Sequence, residues 1–536
     1  AFFCVGVVSF DCFCVILYRV FQRKWPYYKF DYSVFHINFR LFFAGYIVLT
    51  AKKMNLIVFL VIYCIFNAAF VSAEKYNWII GGGPIKENSQ IQIERNVKWA
   101  SEVIENKSLG SNLKIFYSDG DDPNPDVINF LDRNNAYSDK YILDMVFGSA
   151  EFYPSEYTNH TILGQAGSTH PDNLIPTLKK DFKELKEGDT ALILYNGHGW
   201  GNSDDHGLNT LRLWTEVGFT AYDFEKLLSN INDKAPVRFM LTQCFSGGFA
   251  RVIHPEASDD TMELKGTRCG FMAESATREA EGCSSSLKVG EYRDYTTYMF
   301  AALDGRTRLG DALSYDPDIN RDKKVSLREA HLYSLANAYS TDLSRTTSEY
   351  YLEKWEPWYF RWLPKDQRSE TSLFYKIMAQ VAQNNQISPD ITASPSNLRE
   401  ERFKRQNRFE NFKKDMALLK KKIESTQSDL IEQLEKLYPG IKKHAESGFE
   451  GYSNADLFNI KESINRSDQL GELKKYFDKK DKLDLELLGA ERTLTQIEKI
   501  VRLQKLAKTD SLFPVFSHQQ IHDNYEQLLA CEEGFL

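Results

Sequence analysis

The chain has 536 residues, of which 66 are basic and 74 acidic, and its formal net charge is −8 at pH 7. This slightly acidic balance gives no electrostatic basis for binding nucleic acid, so we expect no nucleic-acid partner. Hydrophobic residues make up 43% of the chain, which is enough for a globular core, and the length allows two or three domains.

The N-terminal region has the features of an export signal. Residues 1–53 begin with Ala1 and are rich in Phe, Tyr, Cys and Val, and we interpret them as a misassigned upstream extension. Residues 54–73 are a predicted signal peptide, with an apolar core at residues 56–66 and a small-residue cleavage site at residues 71–73. The sequence therefore predicts an exported protein, secreted or periplasmic, that meets a membrane only through this signal.

The mature chain is predicted to begin near Glu74 with an α/β pattern. Strands are predicted at residues 77–81 and 113–117, with a helix at residues 92–104 between them. The second strand runs into an acidic loop at residues 118–125. Its Asp residues are of the type that binds cations, but we interpret the loop as a solvated, Asx-rich turn.

Two strand-and-turn units separated by a helix carry the candidate chemistry. Residues 191–195 are an apolar run that is typical of a strand buried on both faces, and this strand ends in a glycine-rich turn that contains His198. A second strand at residues 237–242 ends in a turn that contains Cys244, and residues 220–228 between them predict an amphipathic helix. Strand, helix and strand in one sheet form a right-handed parallel crossover. We therefore expect His198 and Cys244 at the carboxyl edge of a mostly parallel α/β sheet.

His198 and Cys244 together predict nucleophilic catalysis. A cysteine attacks as the thiolate, and a neighbouring imidazole takes or shares its proton. The amides of Cys244 and Gly199 are candidates for stabilising a developing oxyanion. Each side chain by itself is more often structural, as a packed or disulfide-bonded cysteine or a hydrogen-bonded histidine. Their joint position at two strand ends favours a catalytic dyad.

These two motifs resemble those of the caspase/legumain group of cysteine peptidases. The resemblance rests on a strand that ends in His198-Gly199 and a strand that ends in Gln243-Cys244, followed by glycines. It implies that Cys244 is the nucleophile and His198 the general base or acid. It also implies that the amides of Gly199 and Cys244 are the oxyanion donors.

The resemblance extends over residues 77–338. Within them, residues 209–214 and 244–249 are most similar to the bacterial caspase-like and legumain-like members. The fold implied is a caspase-like three-layer sandwich with a mostly parallel sheet, and the activity implied is hydrolysis of peptide bonds.

The segment after the nucleophile is interpreted as part of the substrate site. Residues 268–273 predict one more strand, and residues 292–303 predict a helix that packs on the sheet. In the peptidases that the chain resembles, this neighbourhood shapes the pocket for the residue before the cleaved bond. The resemblance therefore implies substrate contacts for Gln243, Glu274 and Glu279, and the two carboxylates favour a basic substrate residue.

A second acidic segment matches the spacing of a calcium loop. Side-chain oxygens fall at positions one, three, five, nine and twelve, and the predicted ligands are Asp318, Asn320, Asp322, Ser326 and Glu329. Lys323 replaces the turn glycine at position six. The alternatives are a structural calcium ion and an ordinary charged turn before a helix at residues 326–338. The predicted catalysis requires no cofactor in either case.

Four cysteines lie in the predicted mature chain, namely Cys244, Cys269, Cys283 and Cys531. An exported protein favours disulfide bonds, but pairing Cys244 would remove the nucleophile. We therefore predict a disulfide between Cys269 and Cys283 across a loop, a free Cys244 and an unassigned Cys531.

The composition predicts three regions in the mature chain. Residues 74–345 are the predicted catalytic domain, residues 346–396 an aromatic-rich hinge and linker, and residues 397–536 a helical coiled-coil domain. Apolar residues recur at heptad spacing in residues 409–437 and 483–501. An antiparallel helical hairpin or small bundle is expected. Its role stays open between a solvated scaffold, a docking arm for a protein partner and an inhibitory element over the cleft.

The sequence thus predicts a secreted cysteine endopeptidase that hydrolyses protein or peptide substrates through a Cys-His dyad and an acyl-enzyme. Two alternatives differ from it in chemistry. One is a transamidase or peptide ligase of the same fold, which transfers the acyl group to an amine. The other is a non-catalytic secreted interaction protein that uses the helical arm.

Overall fold

The computed structural model describes most of the chain after residue 73. The described residues are 74–108, 112–131, 137–138, 140–283, 288–363 and 367–536. The predicted upstream extension and signal peptide, residues 1–53 and 54–73, lie outside the described residues.

A six-stranded sheet is the centre of the α/β part of the molecule. The described strands are β1 Lys75–Gly82, β2 Asn112–Tyr117, β3 Val127–Phe130, β4 Ser155–Thr158, β5 Thr190–Gly197, β6 Gly199–Trp200, β7 Thr210–Arg212, β8 Gly218–Thr220, β9 Val237–Leu241, β10 Arg268–Met272 and β11 Arg345–Thr346. The main sheet has the order β11-β10-β9-β5-β1-β2. All its neighbouring pairs are parallel except β10 with β11, so the predicted mostly parallel sheet is confirmed.

β5 lies inside the sheet, between β1 and β9. Seven of its eight residues are buried, as expected for a continuous apolar strand covered on both faces. Two smaller antiparallel sheets lie outside the main sheet: β3 pairs with β4, and β6, β7 and β8 form a three-stranded ribbon. This ribbon begins directly after His198, and it therefore belongs to the candidate site.

Helices flank the sheet and form most of the C-terminal half. The described α-helices are α1 Ile91–Lys107, α2 Ile142–Phe147, α3 Pro171–Glu184, α4 Ala221–Leu228, α5 Tyr295–Asp304, α6 Leu327–Asn337, α7 Thr347–Trp355, α8 Leu373–Asn384, α9 Pro389–Ala393, α10 Pro395–Leu437, α11 Ile441–Glu446, α12 Asn454–Asn465, α13 Asp468–Phe516 and α14 Gln519–Glu532.

The two faces of the sheet are covered by different helices. Ile80 belongs to a core that also contains Phe182 of α3 and Phe224 of α4. Its neighbour Ile79 belongs to the opposite core, with Phe300 of α5 and apolar residues of α1 and α6. Consecutive strand residues point to opposite faces, so helices on both sides are needed to bury them.

The long helices α10 and α13 form an antiparallel pair, which we call the helical arm. Near the sheet, Arg405 of α10 donates to the carbonyl of Thr493 in α13 at 2.7 Å. Farther along the arm, Leu430 of α10 shares a core with Leu473 of α13. Along the arm, the residue numbers of α10 increase while those of α13 decrease, so the two helices run in opposite directions. The predicted helical hairpin is confirmed.

The arm and the sheet are joined by a large apolar core. Ile500 and Leu503 of α13 cluster with Leu335 of α6, Leu352 of α7 and Ile377 of α8. All described residues belong to one compact unit. The segment predicted as an aromatic hinge and linker is mostly helical. Residues 389–393, which were predicted as linker, form the short helix α9.

One disulfide bond was predicted with the wrong partner. Cys269 of β10 is bonded to Cys531 near the end of α14, with a Cα–Cα distance of 5.9 Å. Cys283, the predicted partner, is a free thiol. The reason is long-range packing, because α14 lies across β10 and β9 and brings Cys531 onto the strand. The prediction of a free Cys244 is confirmed.

Candidate active site

The ends of β5 and β9 bring His198 and Cys244 to one edge of the sheet. These strands are parallel neighbours, with Tyr195 paired to Leu241. The register continues beyond the strands, because the amide of Thr242 donates to the carbonyl of Tyr195 at 3.1 Å. His198 follows Tyr195 by three residues, and Cys244 follows Leu241 by three. The expected placement at the carboxyl edge is therefore confirmed, and the two strands are direct neighbours.

The two turns touch through main-chain atoms at Gly199. A Cβ built on Gly199 would lie 2.1 Å from the carbonyl oxygen of Cys244 and 2.5 Å from Cγ of Gln243. A side chain at position 199 would therefore require the main chain of the cysteine turn to shift. The absence of a side chain at Gly199 allows the histidine turn to approach the cysteine turn, as an oxyanion site built from both amides requires.

The His198 ring is held by a residue that the sequence did not single out. Its Nε2 donates to Oε1 of Gln90, the residue before α1, at 2.8 Å. The carbonyl of His198 accepts from the hydroxyl of Tyr195 at 2.9 Å and from the amide of Arg212 at 3.0 Å. Burial lowers the pKa of His198, the backbone of Asn88 opposes this shift, and Arg212 adds to it. The imidazole is therefore neutral at pH 7, as a general base must be.

Cys244 lies against the main chain of Ala280. The amide of Ala280 donates to Sγ at 3.3 Å, and Sγ lies 3.9 Å from the carbonyl oxygen of the same residue. Burial raises the pKa of the Cys244 thiol to about 11, and the charges of Glu279, Asp342 and Glu274 act in the same direction. The thiol is consequently protonated at neutral pH in this conformation.

Residues 274–283, which we call the cover segment, are fixed to both the cysteine turn and the helical arm. The amide of Phe245 donates to the carbonyl of Arg278 at 2.8 Å. The guanidinium of Arg278 donates to Oγ1 of Thr495 in α13 at 2.9 Å and forms an ion pair with Glu498 of the same helix. α13 therefore sets the position of the segment that contacts the candidate nucleophile.

The cover segment has a second connection to the arm. Glu281 forms an ion pair with Arg492 of α13, and its amide donates to Oδ1 of Asp342 at 2.6 Å. Asp342 is 2% exposed, and its other oxygen accepts from the amide of Tyr295 at the start of α5. Burial raises the pKa of Asp342 well above its ordinary value, and the neighbouring charges of Glu281 and Glu274 act in the same direction.

The three predicted substrate residues occupy different environments. Gln243 is 1% exposed, and neither polar atom of its side chain has a hydrogen-bond partner in the described chain. Glu274 is fully buried, and its carboxylate accepts from the amides of Ser275 and Leu343 at 2.6 and 2.8 Å. Glu279 is exposed, and its charge acts on Cys244. The geometry therefore gives Glu274 a positioning role and leaves Glu279 open to solvent.

Asn209 is a further site residue to which sequence reasoning assigned no role. It is fully buried, and its Nδ2 donates to the carbonyls of Phe245 and Ala276 at 2.9 Å each. Its Oδ1 accepts from the amide of Asn202 at 2.8 Å. The side chain therefore ties the histidine turn, the cysteine turn and the cover segment together. The available signal was its place in the 209–214 motif, whereas Gln90 had no local signal.

The predicted calcium ligands belong to a turn whose oxygens bind its own amides. Asp318 accepts from the amides of Asp322 and Lys323 at 3.1 and 2.8 Å. Glu329 accepts from the amides of Asn320 and Ser326 at 3.1 and 2.9 Å, and forms a capping box with Ser326 at the start of α6. Lys323 has a φ of 68°, a conformation that favours glycine. Calcium binding here stays a prediction.

The comparisons with known proteins give no family for this α/β chain. No protein-family model matches it, and no curated protein matches it. Among solved structures, it is similar to a crystal structure of protein GSU0716 from Geobacter sulfurreducens, at 10% identity and a TM-score of 0.29. That match covers 49% of this chain and 88% of the other. A TM-score this low does not establish a shared fold.

Among the described residues, no helix combines the length and the hydrophobicity needed to cross a bilayer.

Proposed function

We propose that this protein is an exported cysteine endopeptidase with a caspase/legumain-like catalytic domain. The observation that carries the proposal is the placement of a free cysteine and a neutral histidine at the carboxyl ends of two adjacent parallel strands. The caspase-like three-layer sandwich is part of the proposal. It is supported by a mostly parallel sheet with helices on both faces.

The proposed reaction starts when the Cys244 thiol loses its proton to His198 and the sulfur attacks the scissile carbonyl. The negative charge that develops on the carbonyl oxygen is stabilised by the amides of Gly199 and Cys244. The tetrahedral intermediate then collapses, the carbon–nitrogen bond breaks, and the imidazolium of His198 gives its proton to the leaving amine. Water hydrolyses the thioester by the reverse proton transfers and restores the thiol. No cofactor is needed.

The conformation described here corresponds to a resting state in this mechanism. Cys244 has a raised pKa, and the hydrogen bond of His198 goes to Gln90. Substrate must therefore move the cover segment or the His198 ring before the thiol can lose its proton to the imidazole. The same raised pKa is the observation that favours the alternative of a non-catalytic interaction protein, because a protonated thiol is a poor nucleophile.

A pair of cysteine variants tests the catalytic proposal. Cys244→Ala is expected to abolish cleavage of a peptide library by the secreted protein, while its circular dichroism spectrum is unchanged. Cys283→Ala is the matched control, because Cys283 is the other free thiol in the described chain, and it should retain activity. Full turnover by Cys244→Ala, or equal loss in the two variants, would exclude Cys244 as the nucleophile.

The same assay separates the remaining chemical alternatives. Addition of an amine nucleophile would give amide products from a transamidase or peptide ligase and hydrolysis products from a peptidase. A wild-type protein that neither cleaves the library nor reacts with iodoacetamide at Cys244 would favour a non-catalytic role. The library also reads out the preferred substrate residue, which we propose to be basic because Glu279 is an exposed carboxylate whose charge acts on the sulfur.

Three further parts of the proposal rest on separate observations. Export is supported by the Cys269–Cys531 disulfide, because such bonds persist in oxidising compartments. The helical arm is proposed as a scaffold for the cover segment, and its exposed surface as a docking site for a protein partner. The acidic turn at residues 318–329 is proposed as a structural calcium site, outside the reaction.

A further inference from the structure

Three metal-ligating side chains converge beside the end of β2. Asp119 follows β2, Asp126 precedes β3, and His160 lies after β4. One ligand atom from each of the three residues lies within 4.8 Å of the other two. Asp119 and Asp126 lie at the two ends of the loop that joins β2 to β3, and His160 comes from a second loop, so packing of the two loops brings the three residues together.

The cluster contains carboxylate oxygens that the protein itself does not satisfy. Asp126 is 1% exposed, and its Oδ1 accepts from the amide of His160 at 2.9 Å. Its Oδ2 has no hydrogen-bond partner in the described chain, and the same is true of Oδ1 of Asp119 and Oε1 of Gln165. Buried polar atoms are rarely left without a partner, because their desolvation is costly. A cation bound among these oxygens would satisfy them together.

The electrostatics of the two carboxylates agree with this interpretation. One carboxylate oxygen of Asp119 and one of Asp126 lie within 4.8 Å of each other and of a ring nitrogen of His160. Two carboxylates this close together repel each other and are stabilised by a positive charge between them.

The histidine has a supporting contact of the kind that metal ligands show. One ring nitrogen of His160, Nε2, lies 3.0 Å from the carbonyl oxygen of Gly120, and the ring lies against Tyr117 with centroids 5.1 Å apart. The other ring nitrogen, Nδ1, accepts from the amide of Ile162 at 3.3 Å, a long hydrogen bond that an ion bound at Nδ1 would replace. Metal-bound histidines commonly donate their other ring N–H to a backbone carbonyl, which fixes the orientation of the ring.

We propose that Asp119, Asp126 and His160 form a binding site for a divalent transition-metal ion, with Zn²⁺ as the expected occupant. An imidazole nitrogen with two carboxylates is a donor set that suits Zn²⁺ or Mn²⁺, whereas Ca²⁺ prefers six to eight oxygen ligands. Gln165 lies at the edge of the site and can supply an amide oxygen. This site is separate from the acidic turn at residues 318–329.

The position of the site gives the ion a structural role for the proposed catalytic histidine. The hydroxyls of Ser118 and Ser89 lie 3.0 Å apart, and the amide of Ile128 donates to the carbonyl of Ser89 at 2.9 Å. Ser118 precedes Asp119, and Ile128 lies two residues after Asp126. Ser89 is next to Gln90, which accepts the hydrogen bond of His198. A metal that fixes the two loops therefore fixes the segment that orients His198.

Metal binding is tested on the secreted full chain carrying Cys244→Ala, so that the result does not depend on the proposed peptidase activity. The protein is stripped with a chelator and titrated separately with Zn²⁺, Mn²⁺ and Ca²⁺ by calorimetry, with metal content measured by mass spectrometry. We expect one Zn²⁺ per chain at this site and a melting temperature that rises by several degrees when Zn²⁺ is bound. Ca²⁺ is expected not to compete for the site.

Variants locate the ion. Asp126→Asn and His160→Gln are each expected to weaken Zn²⁺ binding by about 100-fold or more, since even loss of a supporting contact costs 10- to 100-fold. Asp122→Asn is the matched control, because Asp122 is an exposed carboxylate of the same loop and is outside the cluster. Absence of bound Zn²⁺ in the wild type, unchanged affinity in Asp126→Asn, or equal loss in Asp122→Asn would each overturn the proposal.

Discussion

At the scale of single residues, Gly199 is where the two strand-end turns meet. Any Cβ at this position would lie 2.1 Å from the carbonyl oxygen of Cys244 and 2.5 Å from Cγ of Gln243. Both atoms belong to the cysteine turn. A side chain at Gly199 would therefore separate the two amides proposed to bind the oxyanion, and the effect on activity should exceed the effect on stability.

We predict that Gly199→Ala abolishes cleavage and lowers the free energy of unfolding by about 1–3 kcal/mol, the usual cost of overpacking. Gly471→Ala is the control, because a Cβ at this position in α13 meets nothing within 4 Å. The control should keep its activity and gain about 0.5–1 kcal/mol of stability from its better helix propensity. Peptidase assays and urea unfolding measure both effects, and an active Gly199→Ala protein would contradict the proposed oxyanion site.

Cys244 shows how burial and charge act on one reactive group. Burial and the charges of three carboxylates raise the pKa of its thiol, and no positive charge is among the main causes of this shift. Thiolates form readily beside cations, and with only carboxylate charges contributing to the shift this conformation favours the protonated thiol. Loss of the thiol proton therefore depends on a movement beyond Cys244 itself, of the cover segment or of the His198 ring.

At the scale of elements, α13 supports the catalytic part through buried ionic contacts. Besides holding the cover segment, it places Arg502 between Glu349 and Glu353 of α7, at 2.6 and 2.8 Å. Burial by itself would raise the pKa of Glu349, but Arg502 and His331 lower it, and the net shift is strongly downward. Glu349 is therefore ionised at neutral pH.

This arrangement predicts a pH-dependent stability. Because the folded-state pKa of Glu349 is below its ordinary value of 4.5, its contribution is present above that pH and is lost as the pH falls below it. Glu349→Gln should lower the free energy of unfolding by about 3 kcal/mol at pH 7, since it leaves a buried guanidinium with one carboxylate fewer. The difference from the wild type should shrink at pH 3.

Urea unfolding of both proteins at the two pH values measures this prediction. Glu462→Gln is the control, because Glu462 pairs with Arg466 on the exposed surface of the arm and should change stability by less than about 1 kcal/mol. A difference between wild type and Glu349→Gln that grows toward acid pH would contradict the assigned pKa shift.

At the scale of the whole molecule, the Cys269–Cys531 disulfide joins the sheet to the last helix. The two residues are 262 positions apart, so the bond closes most of the described chain into one loop. Next to it, Nε of Arg238 in β9 donates to the carbonyl of Cys531 at 2.8 Å. Cross-links that close long loops restrict the unfolded chain most, and the bond should stabilise the arm on the sheet.

We predict that Cys531→Ser lowers the free energy of unfolding by about 2–5 kcal/mol. Urea unfolding without reductant measures the free energy of unfolding of the wild type and of the variant. With reductant, the wild type should approach the stability of the variant, because the bond is then absent from both proteins. A wild type that is insensitive to reductant and equal to Cys531→Ser would show that packing alone holds α14 in place.

Local patterns were sufficient for the elements that carry the candidate dyad. The apolar runs before His198 and Cys244, the capping residues of α4 and the handedness of the crossover place both side chains at one edge of the sheet. The heptads of α10 and α13 likewise predicted the antiparallel arm, because periodicity is a property of neighbouring residues. These features need no information about distant parts of the chain.

The contacts that set the state of the site are long-range and could not be predicted in this way. Gln90 meets His198 across 108 positions, and Arg278 meets Glu498 across 220. The Asp119 loop, interpreted from sequence as a solvated turn, lies against the partly buried His160 of another loop.

The sequence by itself determined that a cysteine and a histidine end two buried strands of a parallel sheet, because hydrophobic period and turn residues act locally. Only the tertiary structure decided that the thiol lies against the cover segment, that Cys269 pairs with Cys531, and that Asp119, Asp126 and His160 converge. Each of these depends on which segments pack together, and packing is decided by the burial of the whole chain, not by the spacing of nearby residues.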